Sequence, residues 1–520
     1  MSDQVPAGWK SVRLGDLATE VRNGISARPD GASGVPILRI SAVRPMTLNV
    51  NDVRFLTGPM SSWEPYRLRR EDLIFTRYNG NPSLVGVCAR VTSEHEELLV
   101  YPDKLIRVRL HRNLALPAFV EMIVHVGEAR AFIDGKTKTS AGQVGISGAD
   151  LKDVPVRLPP LNEQHRIVAK LETVQSNSRR ARDALDAVPP LLEKLRQSIL
   201  AAAFRGDLTK DWREKHPDVE PASELLKRIR IERRKKWEEA ELAKMKAKGK
   251  SPTDDKWKTK YKEPESIDAT GLPELPDGWC WTNVDTVLSG PEDLFDGPFG
   301  SALKTSDYQQ SGVRVIRLEN LANLEFRADN KTYISSAKFE SLTRHAVRAG
   351  DIIFGSFVEE TTRVCVLPEL GGPAIAKADC FCVRPDSRIL PADVLVFALS
   401  TRHARVELTQ GIHGATRPRI NTGQLRALRV PLPPIKEQKI MQDRIEAALA
   451  VVRRLSEGHD NVLANFTALD RAVLAKAFRG ELVPQNSNDK PAETSLAREA
   501  NGAAPRTKKN ARKVRGEARS

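Results

Sequence analysis

The chain has 520 residues, room for two or three domains with proper cores. Its net charge of +15 and sequence pI of about 9.6 point toward polyanion partners without naming one. Five cysteines with no pairable framework, no apolar run near the roughly 18–20 residues that span a bilayer, and an N-terminus (MSDQVPAGWK) lacking a signal-peptide core together predict a cytoplasmic protein.

Residues 1–158 read as a compact α+β domain. LIFTR (73–77) and VGVCARV (85–91) have strand character, and LPAFVEMIVHV (116–126) reads as a helix. Arg77 closes the first of these strands and Asn79 follows it in RYNGN (77–81), whose counterpart in the second half is SFVEE (356–360). Near the domain's end, GKTKTSAGQVGIS (135–147) offers Lys136 and Lys138 to phosphates and Gln143 to a base edge, although a plain solvated connection would look the same.

Residues 159–208 read as a long helix. Pro160 suits its first turn, where a missing N–H costs nothing, and Glu163 lies near the positive end of the macrodipole. Apolar positions then alternate by four and three: Ile167, Leu171, Val174, Ala181, Leu185, Val188, Leu192, Leu195 and Ile199, with Ser178 the one polar member. Pro189-Pro190 inside the stripe predicts a kink or a split. Phe204-Arg205-Gly206 closes the helix, with glycine as a left-handed cap. Residues 209–270 form a basic, partly helical linker; the stretch 224–263 holds 15 Lys/Arg against 8 Asp/Glu. Such a run attracts a DNA backbone or simply solvates a connector.

The second half repeats this order. Residues 271–432 read as another α+β domain, with DIIFGSF (351–357) and TRVCVL (362–367) as strands and ADVLVFALSTR (392–402) as a helix. HGATRPRINTG (413–423) lies where the first copy carries its lysines, offering Arg417 and Arg419 to phosphates and His413 or Asn421 to base edges. Residues 433–484 are a second helix with stripe Met441, Ile445, Ala448, Val452, Leu455, His459, Val462, Phe466, Leu469 and Val473. Residues 485–520 read as a basic disordered tail. The repetition is visible in letters. LPPLNEQ (158–164) and LPPIKEQ (432–438) are 274 apart, as are AFRGDL (203–208) and AFRGEL (477–482). VPAGW (5–9) and LPDGW (275–279) are 270 apart. A period this long is a duplicated domain with its helix, not a solenoid. The offset drifts only in the globular parts, so the copies share a scaffold and differ in loops. The two helices are expected to pair antiparallel, related by an approximate twofold axis; packing of each on its own domain is the alternative.

Searches for chemistry fail. GKT (135–137) and GKS (249–251) lack the first glycine of a phosphate-binding loop, and no Asn/Asp-Pro-Pro-aromatic run exists. GPFGS (297–301) resembles a glycine-rich cofactor loop only loosely. Cys380 and Cys382 have no second pair at zinc spacing and read as core thiols; the nine histidines form no signature.

The duplicated LPP-x2-EQ runs, AFRG-[DE]-L helix ends and PxGW openings resemble the specificity subunit of type I restriction–modification enzymes, over residues 5–484. That resemblance implies two target-recognition domains, each reading half of a bipartite, asymmetric double-stranded DNA site. It implies an antiparallel coiled coil that spaces them and docks two modification (methyltransferase) subunits, joined by restriction–translocase subunits. S-adenosylmethionine, ATP and Mg then belong to those partners, and this chain supplies no catalytic, cofactor or metal residues. Pro189-Pro190 and residues 209–270 depart from that pattern. A coiled-coil scaffold with protein-binding end domains is the competing reading.

Overall fold

The computed structural model describes residues 6–140, 143–247, 249, 252, 254–261, 263, 267–410 and 418–502. The chain divides into two compact units, Met1–Asp186 with Asp460–Ser520, and Ala187–His459.

Each unit is built on the same sheet. In the first, strands Ala18–Asn23, Leu105–Leu110, Leu73–Thr76 and Cys88–Arg90 lie side by side in that order, all antiparallel. In the second the order is Leu294–Phe295, Cys380–Val383, Ile352–Gly355 and Val364–Val366, again antiparallel. The central strands Leu73–Thr76 and Ile352–Gly355 are fully buried, as their unbroken apolar runs require. A short ribbon closes each domain: Lys10–Arg13 pairs with Pro155–Leu158, and Cys280–Asn283 with Arg429–Leu432. The units part company elsewhere. The second carries an extra four-stranded sheet containing one parallel pair, Val313–Ile316 with Ala374–Ala376. The first has only the two-stranded Val35–Leu38 and Val53–Leu56 at the related sequence position.

The first long helix is split. Leu161–Leu185 ends at Asp186, and a new helix, Val188–Phe204, takes Pro189 and Pro190 into its first turn, where proline breaks no hydrogen bond. Ile435–Ala477 runs unbroken; its residues to His459 belong to the second unit and the rest to the first. Gly206 (φ 79°) and Gly480 (φ 76°) are left-handed caps, as the AFRG motifs predict.

Within each unit a pair of helices is antiparallel. In the first, Ile167 and Leu171 share a core with Ala477 and Phe478, whereas Ser178 and Arg182, further along, reach Asp470 at 3.0 and 2.8 Å. In the second, Leu200, Ala203 and Phe204 share a core with Met441 and Ile445. The heptad positions are not uniformly covered. Ile167, Leu171, Ile445 and Val452 are buried; Leu185, Leu192, Ile199, Phe466 and Val473 are half-buried. Leu195, Leu455, Val462 and Leu469 remain 41–50% exposed, against the expectation that they pair. A heptad repeat says which face is apolar, not how far along it a partner reaches.

Two further expectations are corrected. Residues 209–270 are not merely a connector: helix Ala222–Ala247 plugs Ala222, Leu225, Leu226 and Ile229 into the second unit's core. Nor is all of 485–520 a disordered tail: helix Ala492–Gly502 docks on the first unit, with Ala492 buried and Leu496 against the core. These segments are a third duplicated element. The Ala222 amide donates to Gly278 O at 2.8 Å and the Ala492 amide to Gly8 O at 3.0 Å, again 270 residues apart. Only Pro-Ala, one leucine and one arginine (Leu226/Leu496, Arg228/Arg498) survive in both copies, too little for the sequence to announce it. Among the described residues no helix is long and apolar enough to cross a membrane.

Candidate nucleic-acid interface

The three duplicated motifs meet at one buried carboxylate in each unit. Glu163, at the start of its helix, accepts hydrogen bonds from Trp9 Nε1 (3.1 Å to both oxygens) and from Gln485 Nε2 (2.6 Å). Glu437 accepts from Trp279 Nε1 at 2.9 Å and from Thr209 Oγ1 and Arg213 Nη1. In both cases the tryptophan is that of the PxGW opening and the remaining donors follow the AFRG motif of the other copy. Each half of the sequence therefore lends its helix end to the unit holding the other half's domain. Burial pushes the Glu163 carboxyl above its ordinary range, since only neutral donors face it directly.

Gln164 and Gln438 lock the next turn to the neighbouring loop. Gln164 donates to Leu114 O (3.0 Å) and Pro159 O (2.9 Å) and accepts from the Leu116 amide at 2.8 Å. Gln438 donates equivalently to Ile389 O (2.8 Å) and Pro433 O (2.9 Å), but its buried Oε1 has no donor among the described residues. The reason is local: Pro391 precedes helix Ala392–Leu399 where Leu116 precedes Pro117–Ile123, and proline has no N–H.

On this scaffold the residues nominated from sequence come together. In the first unit, strand Tyr78–Asn79 joins Gln143–Gly145 and Lys138–Ser140 in a three-stranded sheet, so the run after Thr76 and the lysine-bearing run are neighbours. Arg77 donates to Asp103 O at 3.3 Å and lies over the Tyr78 ring, 4.7 Å from its centre. Asn79 Oδ1 accepts from the Asn81 amide (2.9 Å), holding the turn. Lys136 ends helix Gly127–Lys136, its amine 5.4 Å from the Phe132 ring centre. Lys138 and Gln143 lie on the paired strands.

The second unit repeats the junction with other residues. The Val358 amide donates to Pro418 O and the Ile420 amide to Ser356 O, both at 2.9 Å. Arg419 pairs with Asp379 at 2.6 Å and sits 5.9 Å from the ring centres of Phe299 and Phe357. Asn421 caps helix Thr422–Ala427: its Oδ1 accepts from the Gln424 amide at 2.9 Å, as Ser147 does for its own helix. That commits the oxygen proposed for a base edge. His413 and Arg417 lie outside the described residues.

Sequence reading passed over Asp379 and Asp296. Asp379 has φ 73° and accepts from Ser356 Oγ at 2.7 Å, while its amide donates to Asp296 Oδ1 at 2.9 Å. Burial pushes the Asp296 carboxyl up to about 6. Nothing in the letters marks a lone aspartate as a left-handed turn that anchors an arginine. Among the described residues no cluster of three or more His, Cys, Asp or Glu could hold a metal. Cys380 and Cys382 are buried core thiols, raised by desolvation far from a reactive thiolate.

Comparison with known proteins gives consistent likenesses. Residues 292–463 match the type I restriction modification DNA specificity domain. The EcoKI specificity subunit of Escherichia coli K12 is 40% identical over 230 residues, 43% of this chain and 49% of that subunit. The StySPI subunit of Salmonella potsdam is 32% identical over 232 residues; the matched part spans about half of both relatives. The EcoBI specificity subunit of Escherichia coli aligns over 93% of this chain and 88% of its own length at 25% identity. A chain solved in a study of complex assembly and conformational transition of the type I R-M system superposes with TM-score 0.62 at 18% identity, covering 92% of this chain and all of that one, a likeness of fold. These matches bear out the resemblance carried by the duplicated motifs.

Proposed function

We infer that this chain is a DNA-specificity subunit of the type I restriction–modification family, each unit reading one half of a bipartite, asymmetric duplex site. One observation carries the reading: the same junction on the same scaffold bears different side chains in the two units. Arg77, Tyr78 and Asn79 beside 143–145 in the first become Ser356, Phe357 and Val358 beside 418–420 in the second. A shared scaffold with divergent tips is what two half-sites of different sequence require. Basic side chains there fix the register on phosphates, and polar or apolar ones read base edges. Occupying both half-sites at once raises effective concentration and sets their spacing.

The chain positions and its partners react. Two methyltransferase subunits using S-adenosylmethionine dock along the helices, which leave heptad residues such as Leu455 and Leu469 exposed. Methylation of an adenine amine requires that base to leave the stack, a step for the docked subunit. Restriction–translocase subunits bring ATP and Mg. The test is to recover a tagged full-length chain from its own cells at moderate salt and weigh the complex. Two methyltransferase chains per copy support the reading; a solitary chain that binds no duplex selectively sinks it and favours a protein scaffold.

A further inference from the structure

The run GPFGS, which resembles a cofactor loop in letters alone, has a different setting in the fold. Its root is pinned: a Cβ on Gly297 would lie 2.1 Å from the Lys377 carbonyl carbon, so only glycine lets the loop cross that backbone. Gly24 crosses Pro102 in the first unit in the same way, with a Cβ only 2.2 Å from the Pro102 oxygen. The root is thus common and the tip is not. The first unit continues Ile25-Ser26-Ala27-Arg28; the second displays Phe299, a large aromatic left 52% exposed on a turn.

Around Phe299 lies a concave pocket of about 600 Å³ whose wall includes Lys304, Arg317, Lys377 and Asp379. Arg419, from the junction described above, reaches the same ring. Glu319 pairs with Arg317 at 3.1 Å and Asp379 with Arg419. Asp307 feels the Lys304 charge but pairs with Lys338 at 3.3 Å, and among the described residues neither Lys304 nor Lys377 forms an ion pair, so cations outnumber carboxylates in the lining. An exposed aromatic beside a surplus of cations suits a partner with apolar faces inside an anionic frame. Duplex DNA is such a partner: phosphates outside, base edges and thymine methyls in the groove.

We propose that Phe299 is a base-contacting, specificity-determining residue of the second unit, seated in the groove of duplex DNA while Lys304 and Lys377 hold the flanking phosphates. The proposal rests on the recognition reading and adds a residue and a loop to it. Arg419 then acts as a positioning residue, its guanidinium 5.9 Å from the ring centres of Phe299 and Phe357 and anchored by Asp379. The first unit, lacking an aromatic at this tip, reads its half-site from the junction of Tyr78–Asn79 with Gln143–Gly145 instead.

The test uses the full-length chain with the subunits that co-purify with it and a library of randomised duplexes. Wild type, Phe299→Ala, Phe299→Leu and the double variant Lys304→Ala/Lys377→Ala are each put through selection and salt titration. Phe299→Ala is expected to relax enrichment about 5- to 150-fold at one or two adjacent positions of one half-site, the range of a lost base contact, with the salt slope unchanged. Phe299→Leu keeps part of the preference, having an apolar tip. The lysine variant weakens all sequences alike and lowers the salt slope by about one unit per lysine. Wild-type enrichment at every position in Phe299→Ala overturns the proposal. Enrichment of no sequence by the wild type overturns the recognition reading itself.

Discussion

The two buried carboxylates predict an asymmetry that can be measured. Glu437 is fully buried and faces three donors, one of them the charged Arg213, itself 19% exposed. Glu163 is equally buried but faces only Trp9 and Gln485, because Arg166 is spent on Asp489 at 2.7 Å. Glu437→Gln keeps the shape, yet turns an amide donor toward donors and leaves Arg213 without its counter-charge. Breaking a buried pair this way costs about 3–5 kcal/mol; Arg213's residual exposure brings the expectation to about 2–4 kcal/mol. Glu163→Gln loses no ion pair and removes a desolvated charge, so its cost is about 1 kcal/mol or less. Hydrogen exchange on the full chain reads both, following residues 203–213 with 435–445 for Glu437→Gln and residues 161–171 with 477–485 for Glu163→Gln. A loss of 3 kcal/mol raises local opening about 150-fold. Adding Arg213→Met to Glu437→Gln should recover part of the loss, since no stranded charge remains. Equal losses for the two carboxylates, or no recovery in the double variant, would refute this account of how the helix ends are held.

Acidity gives a second test of the Glu163 site. Burial raises Glu163 above its ordinary range, so the folded state binds that proton more tightly than the unfolded chain does. The resulting stabilisation is full below the ordinary carboxylate range and fades as pH rises through the raised value. Wild type should therefore gain stability relative to Glu163→Gln as pH falls from neutral toward that range, measured by urea titrations of both proteins at matched pH. Gln164→Met should cost up to about 1 kcal/mol more than Gln438→Met, because it also strands the half-buried Leu116 amide, for which Pro391 has no counterpart; paired denaturation curves check this. Deleting residues 486–520 should destabilise the first unit by about 2–3 kcal/mol through lost burial around Ala492 and Leu496, seen as faster exchange at Gly8 to Lys10; an unchanged unit would return the segment to a loose tail.

What the letters revealed follows from what short motifs can encode. The duplicated helix ends, the glycine caps and the consequence of Pro189-Pro190 were readable because each is a local backbone requirement. Strand identity at 73–76 and 352–355 was readable from unbroken apolar runs. The exchange of helix ends between copies was not, because Trp9 with Gln485 and Trp279 with Arg213 are tertiary meetings that no period records. The docking of 222–229 and 492–496 was hidden by scarcity of apolar letters in basic surroundings. At the candidate interface, Arg77 and Arg419 were nominated for their charge and position, and each lies at its unit's junction. Phe299 and Asp379 were not nominated, since a single exposed aromatic or left-handed aspartate carries no spacing to read. Asn421 shows the converse: a residue type suited to adenine is also the favoured helix cap, and the fold uses it as the cap.

The central claim is that two units of one chain read two different half-sites. The most direct measurement is selection from randomised duplexes by the purified full-length complex at two salt concentrations, repeated with residues 77–81 exchanged for 356–360. The account predicts two conserved blocks at fixed spacing in the wild type, and a change confined to one block in the exchanged chain. Loss of both blocks together, or binding indifferent to sequence at either salt, would contradict it.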